Sequence, residues 1–252
     1  MCIRDRDDLK DFHVNRVFIE GALVAEEGKY LPEIKKCDIS SVKGSVIVKD
    51  FSKEKFKMNL KSNKVNVIKI LPGGVVTAKD TAEIELDANG EFVRNPEVDL
   101  VKVAVVERHQ GTGNVACGFL KGYGIKEGAV ALSVAHDSHN IIVVGVNDEE
   151  MEFAVNSLIE QEGGIVLVKE GKVIESMPMP IAGLMSDQSG EWVDQKLTDI
   201  HEKAYEELGI CGDVEPVMTL CFMSLAVIPE IKLTDMGLFD VTTFSFIPVE
   251  VE

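Results

Sequence analysis

Residues 147–180, NDEEMEFAVNSLIEQEGGIVLVKEGKVIESMPMP, decide the fold of this chain. Apolar residues recur at helical spacing in the first half, and Asn147 and Glu150 resemble a capping box at its start. This pattern predicts a helix over Asp148–Glu162. The second half consists of two runs rich in β-branched residues, and it predicts a β-hairpin that turns at Gly171. A helix followed directly by a hairpin indicates an α+β fold.

The chain that follows the hairpin repeats the helical pattern once. Apolar residues at helical spacing follow a candidate cap at Ser189 and stop before Gly209, which predicts a second helix over Glu191–Leu208. Residues 241–251 alternate as a last strand. We therefore predict an α+β domain over residues 96–252, with a mixed or antiparallel sheet and two main helices.

The N-terminal part is predicted to be mostly β. Residues 14–28 read as a hairpin with glycine turns, and short β-branched runs separated by turn residues continue over 45–86. We place a domain boundary near residue 95, so that residues 8–95 form a small β-domain segment. Residues 1–7 show no periodicity before a coherent pattern begins, and we expect them to be a non-native N-terminal addition.

Composition excludes several classes of function. The 252 residues include 43 acidic and 26 basic side chains, for a formal net charge of -17, which repels nucleic acid and anionic membranes. No apolar run reaches the roughly 20 residues needed to cross a bilayer. Five scattered cysteines without a CxxC arrangement suggest neither a disulfide framework nor a thiolate zinc site. We expect a cytoplasmic protein without nucleic-acid or membrane partners.

The segment 133–145, SVAHDSHNIIVVG, holds the densest set of polar side chains between apolar runs. A turn that joins two strands exposes such side chains together at one edge of a sheet. Three interpretations remain open: a metal site, a pocket that hydrogen-bonds a polar ligand or moves a proton, and a structural polar turn. The residues concerned are His136, Asp137, Ser138, His139 and Asn140.

A second polar group, Glu107, Arg108 and His109, ends a predicted strand and precedes a glycine-rich loop. The loop is a poor phosphate cradle, because the lysine of a Walker loop is missing and no clear helix follows it. All three residues would lie against the turn at 136–140 if the two strands are neighbours. A Glu107–Arg108 ion pair explains the same residues about equally well. Two further polar segments, 177–187 and 228–241, are interpreted as structural.

Four motifs, in this order and at these separations, resemble the C-terminal region of bacterial and archaeal adenine deaminases. The motifs are ERHQGTGNVACGF (107–119), GAVALSVAHDSHNIIVVG (128–145), MPMPIAGLMSD (177–187) and PEIKLTDMGLFDV (229–241). The resemblance covers nearly the whole chain from about Asp8. It implies that residues 8–95 belong to the composite β-domain of an amidohydrolase and that a (β/α)8 barrel stands N-terminal to them.

The resemblance implies hydrolysis of adenine to hypoxanthine and ammonia by a metal-activated water, as in purine salvage. The superfamily's metal ligands include an HxH pair, which this sequence lacks. We therefore expect the divalent metal of the full-length enzyme, Mn or Fe and possibly Zn, to be held by the missing barrel and none by this chain. We expect the chain to be inactive alone and to close the purine pocket.

For that role we expect two sets of site residues. The candidates for catalysis are His136, Asp137 and His139, and those for substrate binding are Ser138, Asn140, Glu107 and His109. Two other functions stay open at this point. One is a complete ligand-binding or oligomerisation module without catalysis, and the other is a stand-alone metallohydrolase that uses His109, His136, Asp137 and His139. A homo-oligomer is compatible with each.

Overall fold

A computed structural model describes residues 2–251, whose contacts separate them into two compact units. The division lies between Ile39 and Ser40. Each unit contains its own sheet. Met1, part of the predicted N-terminal addition, lies outside the described residues.

The first unit is a four-stranded antiparallel sheet in the order β1-β2-β3-β4. Its strands are β1 (Cys2–Arg6), β2 (Val14–Ile19), β3 (Ala22–Glu26) and β4 (Lys29–Tyr30). The predicted hairpin is confirmed as β2 and β3, which turn at Gly21 with a φ of +83°. Residues 2–6 pair with β2. That residues 1–7 are non-native stays a prediction.

Within residues 40–251, the second unit contains three sheets, three α-helices and two short 3-10 helices. Its N-terminal elements are β5 (Lys64–Ile70), β6 (Thr77–Glu83), β7 (Glu85–Leu86), β8 (Phe92–Val93), β9 (Leu100–Val106), β10 (Val115–Lys121), β11 (Ala129–Leu132) and β12 (Ile141–Gly145). Its C-terminal elements are α1 (Asp148–Glu160), β13 (Gly164–Lys169), β14 (Lys172–Pro178), α2 (Gly190–Glu206), α3 (Met218–Cys221), β15 (Ile231–Thr234), β16 (Gly237–Asp240) and β17 (Ser245–Phe246).

The main sheet has eight strands in the order β14-β13-β11-β12-β9-β10-β5-β6. Every pair is antiparallel except β10 and β5, which run parallel, so the sheet is mixed. The predicted α+β class is confirmed. The predicted hairpin of β13 and β14 is also confirmed, with its turn at Glu170 and Gly171.

The central strands are buried on both faces, which explains their continuous apolar sequences. Along β12, Ile142 and Val144 belong to the core on one face, and Ile141 and Val143 belong to the core on the other. Helix α2 contributes to the first core and helix α1 to the second. Each fully buried aliphatic side chain of these cores stabilises the fold by roughly 1.5–3 kcal/mol.

The structure confirms the N-caps at the predicted helix starts but not the reciprocal half of the capping box, because Glu150 Oε1 accepts from the N–H of Gly171 instead. Asn147 Oδ1 accepts a hydrogen bond from the backbone N–H of Glu150 at 2.8 Å, and α1 begins at the next residue, Asp148. Ser189 Oγ likewise accepts from the N–H of Trp192 at 3.3 Å before α2. Both caps satisfy N–H groups that have no partner inside the helix. Both helices end two residues earlier than predicted.

Three strand predictions are wrong. Residues 56–60 form no strand, and Phe56 ends a short 3-10 helix instead. Residues 45–51 form no strand either, and Val46, Val48 and Phe51 pack against the core beneath α1. In the tail, only β17 is a strand, and beyond Pro248, which lacks an N–H, a single bridge joins Glu250 to Val65. The short helix α3 was not predicted, since four residues give no helical period.

The division at residue 39 differs from the domain boundary predicted near residue 95. Strands β5 and β6 precede residue 95 and yet belong to the main sheet, where β5 pairs with β10 over Ile68 and Leu120. That residues 8–95 form part of a composite β-domain stays a prediction. No helix within residues 2–251 is long and apolar enough to cross a membrane.

Candidate functional site

Two polar segments meet at the ends of two central strands of the main sheet. Strands β9 and β12 are antiparallel neighbours, with Val106 at the end of β9 opposite Ile141 at the start of β12. The residues just after β9 therefore lie beside the residues just before β12. The structure thus confirms that the Glu107–His109 segment and the turn at 136–140 are adjacent.

Backbone hydrogen bonds fix the conformation of the turn at 136–140. The N–H of His136 donates to the carbonyl of Cys221 at 2.7 Å, and the N–H of His139 donates to the carbonyl of Ala135 at 2.6 Å. His139 has a φ of +52°, a left-handed conformation that is uncommon for a residue other than glycine. The imidazole rings of His136 and His139 lie 5.1 Å apart in an edge-to-face arrangement.

The residues of the turn differ in their exposure to solvent. Asp137 and Ser138 are exposed, while His136 and His139 are half-buried. Asn140 is only 4% exposed, and its Oδ1 accepts from the backbone N–H of Arg108 at 3.3 Å. Asn140 therefore joins the turn to β9, and it presents little surface to a ligand.

Glu107 organises the glycine loop that follows it. Its carboxylate accepts from the backbone N–H groups of His109, Gln110 and Thr112 at 2.6, 2.7 and 2.9 Å. Burial alone would raise the pKa of Glu107, but these donors and the hydroxyl of Thr112 lower it to about 2. Both carboxylate oxygens are thus engaged with the loop. Gly111 and Gly113 supply the positive φ values of the loop, which leads into strand β10.

His109 is exposed and bridges the loop to the turn. Its Nε2 lies 2.7 Å from the carbonyl oxygen of Ser138. Because a carbonyl can only accept, this contact places the ring proton on Nε2. Nδ1 of a neutral His109 is then an acceptor.

Arg108 lies beneath both segments and is 1% exposed. Its Nε donates to the carbonyl of His139 at 2.5 Å, and its Nη2 donates to the carbonyl of Ala182 at 3.2 Å. The ion pair with Glu107 considered above is not formed, because carbonyls bind the guanidinium and loop N–H groups bind the carboxylate. Burial lowers the pKa of Arg108.

A third segment, the loop 181–185, reaches the same place. The hydroxyl of Ser133 donates to the carbonyl of Gly183 at 2.5 Å and accepts from the N–H of Gly164 at 2.8 Å. This loop belongs to the MPMPIAGLMSD motif, which sequence reasoning treated as structural. Sequence reasoning missed the contact of this loop with Arg108. Gly183 leaves room for the buried guanidinium, and a glycine with that role cannot be recognised from composition or periodicity.

The electrostatics of the turn favour a neutral His139. Burial lowers the pKa of this imidazole, and the neighbouring His136 and Arg108 lower it further, whereas Asp137 raises it. Near pH 7 His139 therefore offers one donor and one acceptor. Its Nδ1 is buried and has no hydrogen-bond partner among the described residues.

A metal does not fit this chain as described. Among residues 2–251, no group of three or more His, Cys, Asp or Glu side chains is placed to hold a metal ion. A stand-alone metal site would need a ring nitrogen of His109. Its Nε2 is instead hydrogen-bonded to the backbone carbonyl of Ser138.

The remaining motif, PEIKLTDMGLFDV, forms the hairpin of β15 and β16. Lys232 on β15 is fully buried and donates to the carbonyl of Val75 at 2.9 Å. Burial lowers the pKa of Lys232 to about 8. The N–H of Leu233 donates to the carbonyl of Met223, next to the segment that holds His136. The hairpin is thus linked to the turn at 136–140 through the segment 221–223.

The three loops lie in a region of the chain that matches a known protein family. The family described as "Adenine deaminase C-terminal domain" matches residues 74–245, which include every segment of the site. The chain belongs to this family. The resemblance stated from the four motifs is thereby confirmed.

Curated adenine deaminases match over almost the whole chain. "Adenine deaminase 2" of Desulfotalea psychrophila is 66% identical over 244 residues, which is 97% of this chain and 42% of that protein. "Adenine deaminase" of Ligilactobacillus salivarius is 46% identical over 98% of this chain and 43% of its own length. "Adenine deaminase 2" of Carboxydothermus hydrogenoformans is 44% identical over 96% of this chain and 42% of its own length. The chain thus spans less than half the length of these adenine deaminases.

Proposed function

We propose that this chain supplies one wall of the purine pocket of an adenine deaminase, which hydrolyses adenine to hypoxanthine and ammonia. The observation that carries the proposal is the convergence of three loops on Arg108, which follows β9 and binds the carbonyls of His139 and Ala182. Two of these loops also place exposed polar groups there, from Asp137, Ser138 and His109. All three loops lie within the residues that match the deaminase family.

Each residue of the turn has a role that its chemistry permits. A neutral His139 can both donate to and accept from the ring nitrogens of an uncharged base. Asp137 is a carboxylate next to His139 and could carry a proton to or from the amine. Ser138 offers a hydroxyl, and closure of the turn over the base would exclude water. Glu107 and Asn140 would act indirectly, by shaping the loop and holding the turn.

The chemistry itself would depend on the part of the protein that this chain does not contain. A divalent metal, Mn or Fe and possibly Zn, would be held by a barrel N-terminal to it, and this chain alone would be inactive. The full enzyme would act in the cytoplasm, where the cysteines of this chain would stay reduced. The free state of Cys37, Cys117, Cys211 and Cys221 supports that location.

The proposal is tested by fusing this chain to the part of the Desulfotalea psychrophila enzyme that it does not match. The fusion is expected to release ammonia from adenine, and the purified chain, dialysed against chelator, is expected to release none. Robust ammonia release by the dialysed chain would overturn the proposal. A folded fusion that fails to deaminate adenine, beside an active intact relative, would also count against it.

A second candidate is an oligomerisation module without chemistry, and one observation favours it. Aromatic side chains around the hairpin of β16 and β17 are exposed, with Phe244 at 75% and Phe246 at 52%. Contiguous exposed apolar surface commonly marks an interaction site. Light scattering separates the two candidates: a stable oligomer of the chain with no catalytic contribution in the fusion would favour the module.

A further inference from the structure

Arg108 is a buried cation that contacts no carboxylate among residues 2–251. It is 1% exposed, its Nε and Nη2 donate to backbone carbonyls, and its Nη1 has no hydrogen-bond partner in the described part of the chain. Burying a charge without a counter-charge costs free energy, and packing alone offsets little of that cost. The position of this charge therefore calls for an explanation beyond stability.

The guanidinium joins two loops that are far apart in sequence. One carbonyl belongs to His139 in the turn and the other to Ala182 in the loop 181–185. Gly183 lies so close that a β-carbon there would meet Arg108 Nη1 at 2.7 Å. Because Gly183 has no side chain, the loop leaves room for the guanidinium. The planar set of N–H donors of the guanidinium binds both carbonyls.

The charged and titratable groups around the His139 imidazole come from two segments. Arg108 and His109 face it from the end of β9, and His136 and Asp137 face it within the turn. Three of these four oppose a positive charge on His139, and Asp137 alone favours it. Among the three, only Arg108 carries a charge at every physiological pH. Its effect therefore persists when the histidines are neutral.

We propose that Arg108 is a positioning residue of the pocket, whose uncompensated guanidinium fixes the backbone of His139 against the loop 181–185 and so sets the imidazole that hydrogen-bonds to an uncharged nucleobase. The inference rests on the proposed function for its ligand. The effect on His139 itself can be measured in this chain without adenine. Arg108 then acts through His139, since the guanidinium is buried beneath the turn and does not itself reach the surface.

The test is an NMR titration of the His139 imidazole in this chain, with the resonance assigned by a His139→Gln variant. In the wild type the pKa is expected to lie below 6.5, and Arg108→Gln is expected to raise it, because the charge is lost. Arg94→Gln is the matched control, since Arg94 also donates to a carbonyl and also has one buried guanidinium nitrogen, Nε in its case, without a hydrogen-bond partner among the described residues. It should leave the pKa of His139 unchanged. A folded Arg108→Gln variant with the wild-type pKa overturns the proposal.

Arg108→Met replaces the glutamine variant if that protein does not fold. Methionine removes the charge and keeps much of the side-chain volume, so the pKa of His139 is expected to rise above its wild-type value, and an unchanged pKa overturns the proposal. The failure of the pocket assignment is a separate result. It would appear as unchanged adenine deamination by a His139→Ala fusion protein, whatever Arg108 does to the pKa of His139.

Discussion

Nε2 of His109 lies 2.7 Å from the carbonyl oxygen of Ser138, although 29 residues separate them in the chain. The contact joins the glycine loop after β9 to the turn before β12 at the surface. Beneath it, Arg108 and Asn140 join the same two segments in the interior. The turn is therefore braced on two sides, while Asp137 remains exposed between them.

Removing the outer brace is expected to loosen the turn without unfolding the protein. His109→Ala deletes an exposed hydrogen bond, worth about 0.5–1.5 kcal/mol, so global stability should change little. Hydrogen exchange of the His139 amide, which donates to Ala135, should become faster because local opening is easier. Gln110→Ala, a change of the exposed neighbouring side chain, should leave that rate unchanged. Equal exchange in both variants would contradict the bracing role.

The carboxylate of Glu107 is expected to make stability depend on acid pH. Its pKa is about 2 in the folded protein against an ordinary 4.5, so its contribution is present above pH 4.5 and is lost as pH falls toward 2. Glu107→Gln should therefore lower the free energy of unfolding near neutral pH by up to about 3 kcal/mol. Urea denaturation at about pH 7 and about pH 3 measures how far this difference shrinks in acid.

The control for this variant is Glu202→Gln, which changes an exposed carboxylate on α2 in the same way. Its effect on unfolding should be within about 0.5 kcal/mol at both pH values. If Glu107→Gln were equally harmless near neutral pH, the loop would not depend on the carboxylate, and Glu107 would be free for a ligand instead.

Much of the fold could be predicted because its local patterns agree with its packing. The caps at Asn147 and Ser189 act within three residues, and the two helices follow from their apolar spacing. The pattern fails at residues 45–51, where β-branched side chains pack on the core without joining a ladder. Strand pairing depends on partners distant in sequence, and β-propensity alone does not identify them.

The candidate site was only partly predictable for a related reason. The turn at 136–140 could be found because its polar residues interrupt apolar strands. Arg108 was noted only as a possible partner of Glu107, because its actual partners are the carbonyls of His139 and Ala182. Backbone acceptors belong to every residue type, so the sequence does not indicate which of them an arginine will bind.

Gly183 is expected to be intolerant of even one added methyl group. Gly183→Ala would bring a β-carbon to 2.7 Å from Arg108 Nη1, at a residue whose φ is +71°. The guanidinium is held by its hydrogen bonds to the carbonyls of His139 and Ala182, and the left-handed φ disfavours a side chain at residue 183, so the change should cost about 1–3 kcal/mol. Gly190→Ala is the control, since no atom lies within 4 Å of its β-carbon position. Thermal unfolding should separate the two variants, and equal midpoints would contradict the tight contact.

Substitutions in the turn should reduce catalysis in the fusion protein. His139→Ala and Asp137→Ala are each expected to lower kcat by about tenfold or more, the scale of losing one positioned proton carrier. Asp194→Ala, on the exposed side of α2, should leave kcat unchanged. Steady-state ammonia release measures all three. Unchanged kinetics in folded His139→Ala and Asp137→Ala variants would remove the turn from the catalytic machinery.

The most direct test of the central claim is photolabelling of the fusion protein with an azido derivative of adenine, followed by mass spectrometry of the labelled peptides. If the three loops form a wall of the purine pocket, label should appear within residues 133–145 and should be suppressed by excess adenine. Label that excess adenine suppresses but that lies wholly outside this chain would contradict the claim.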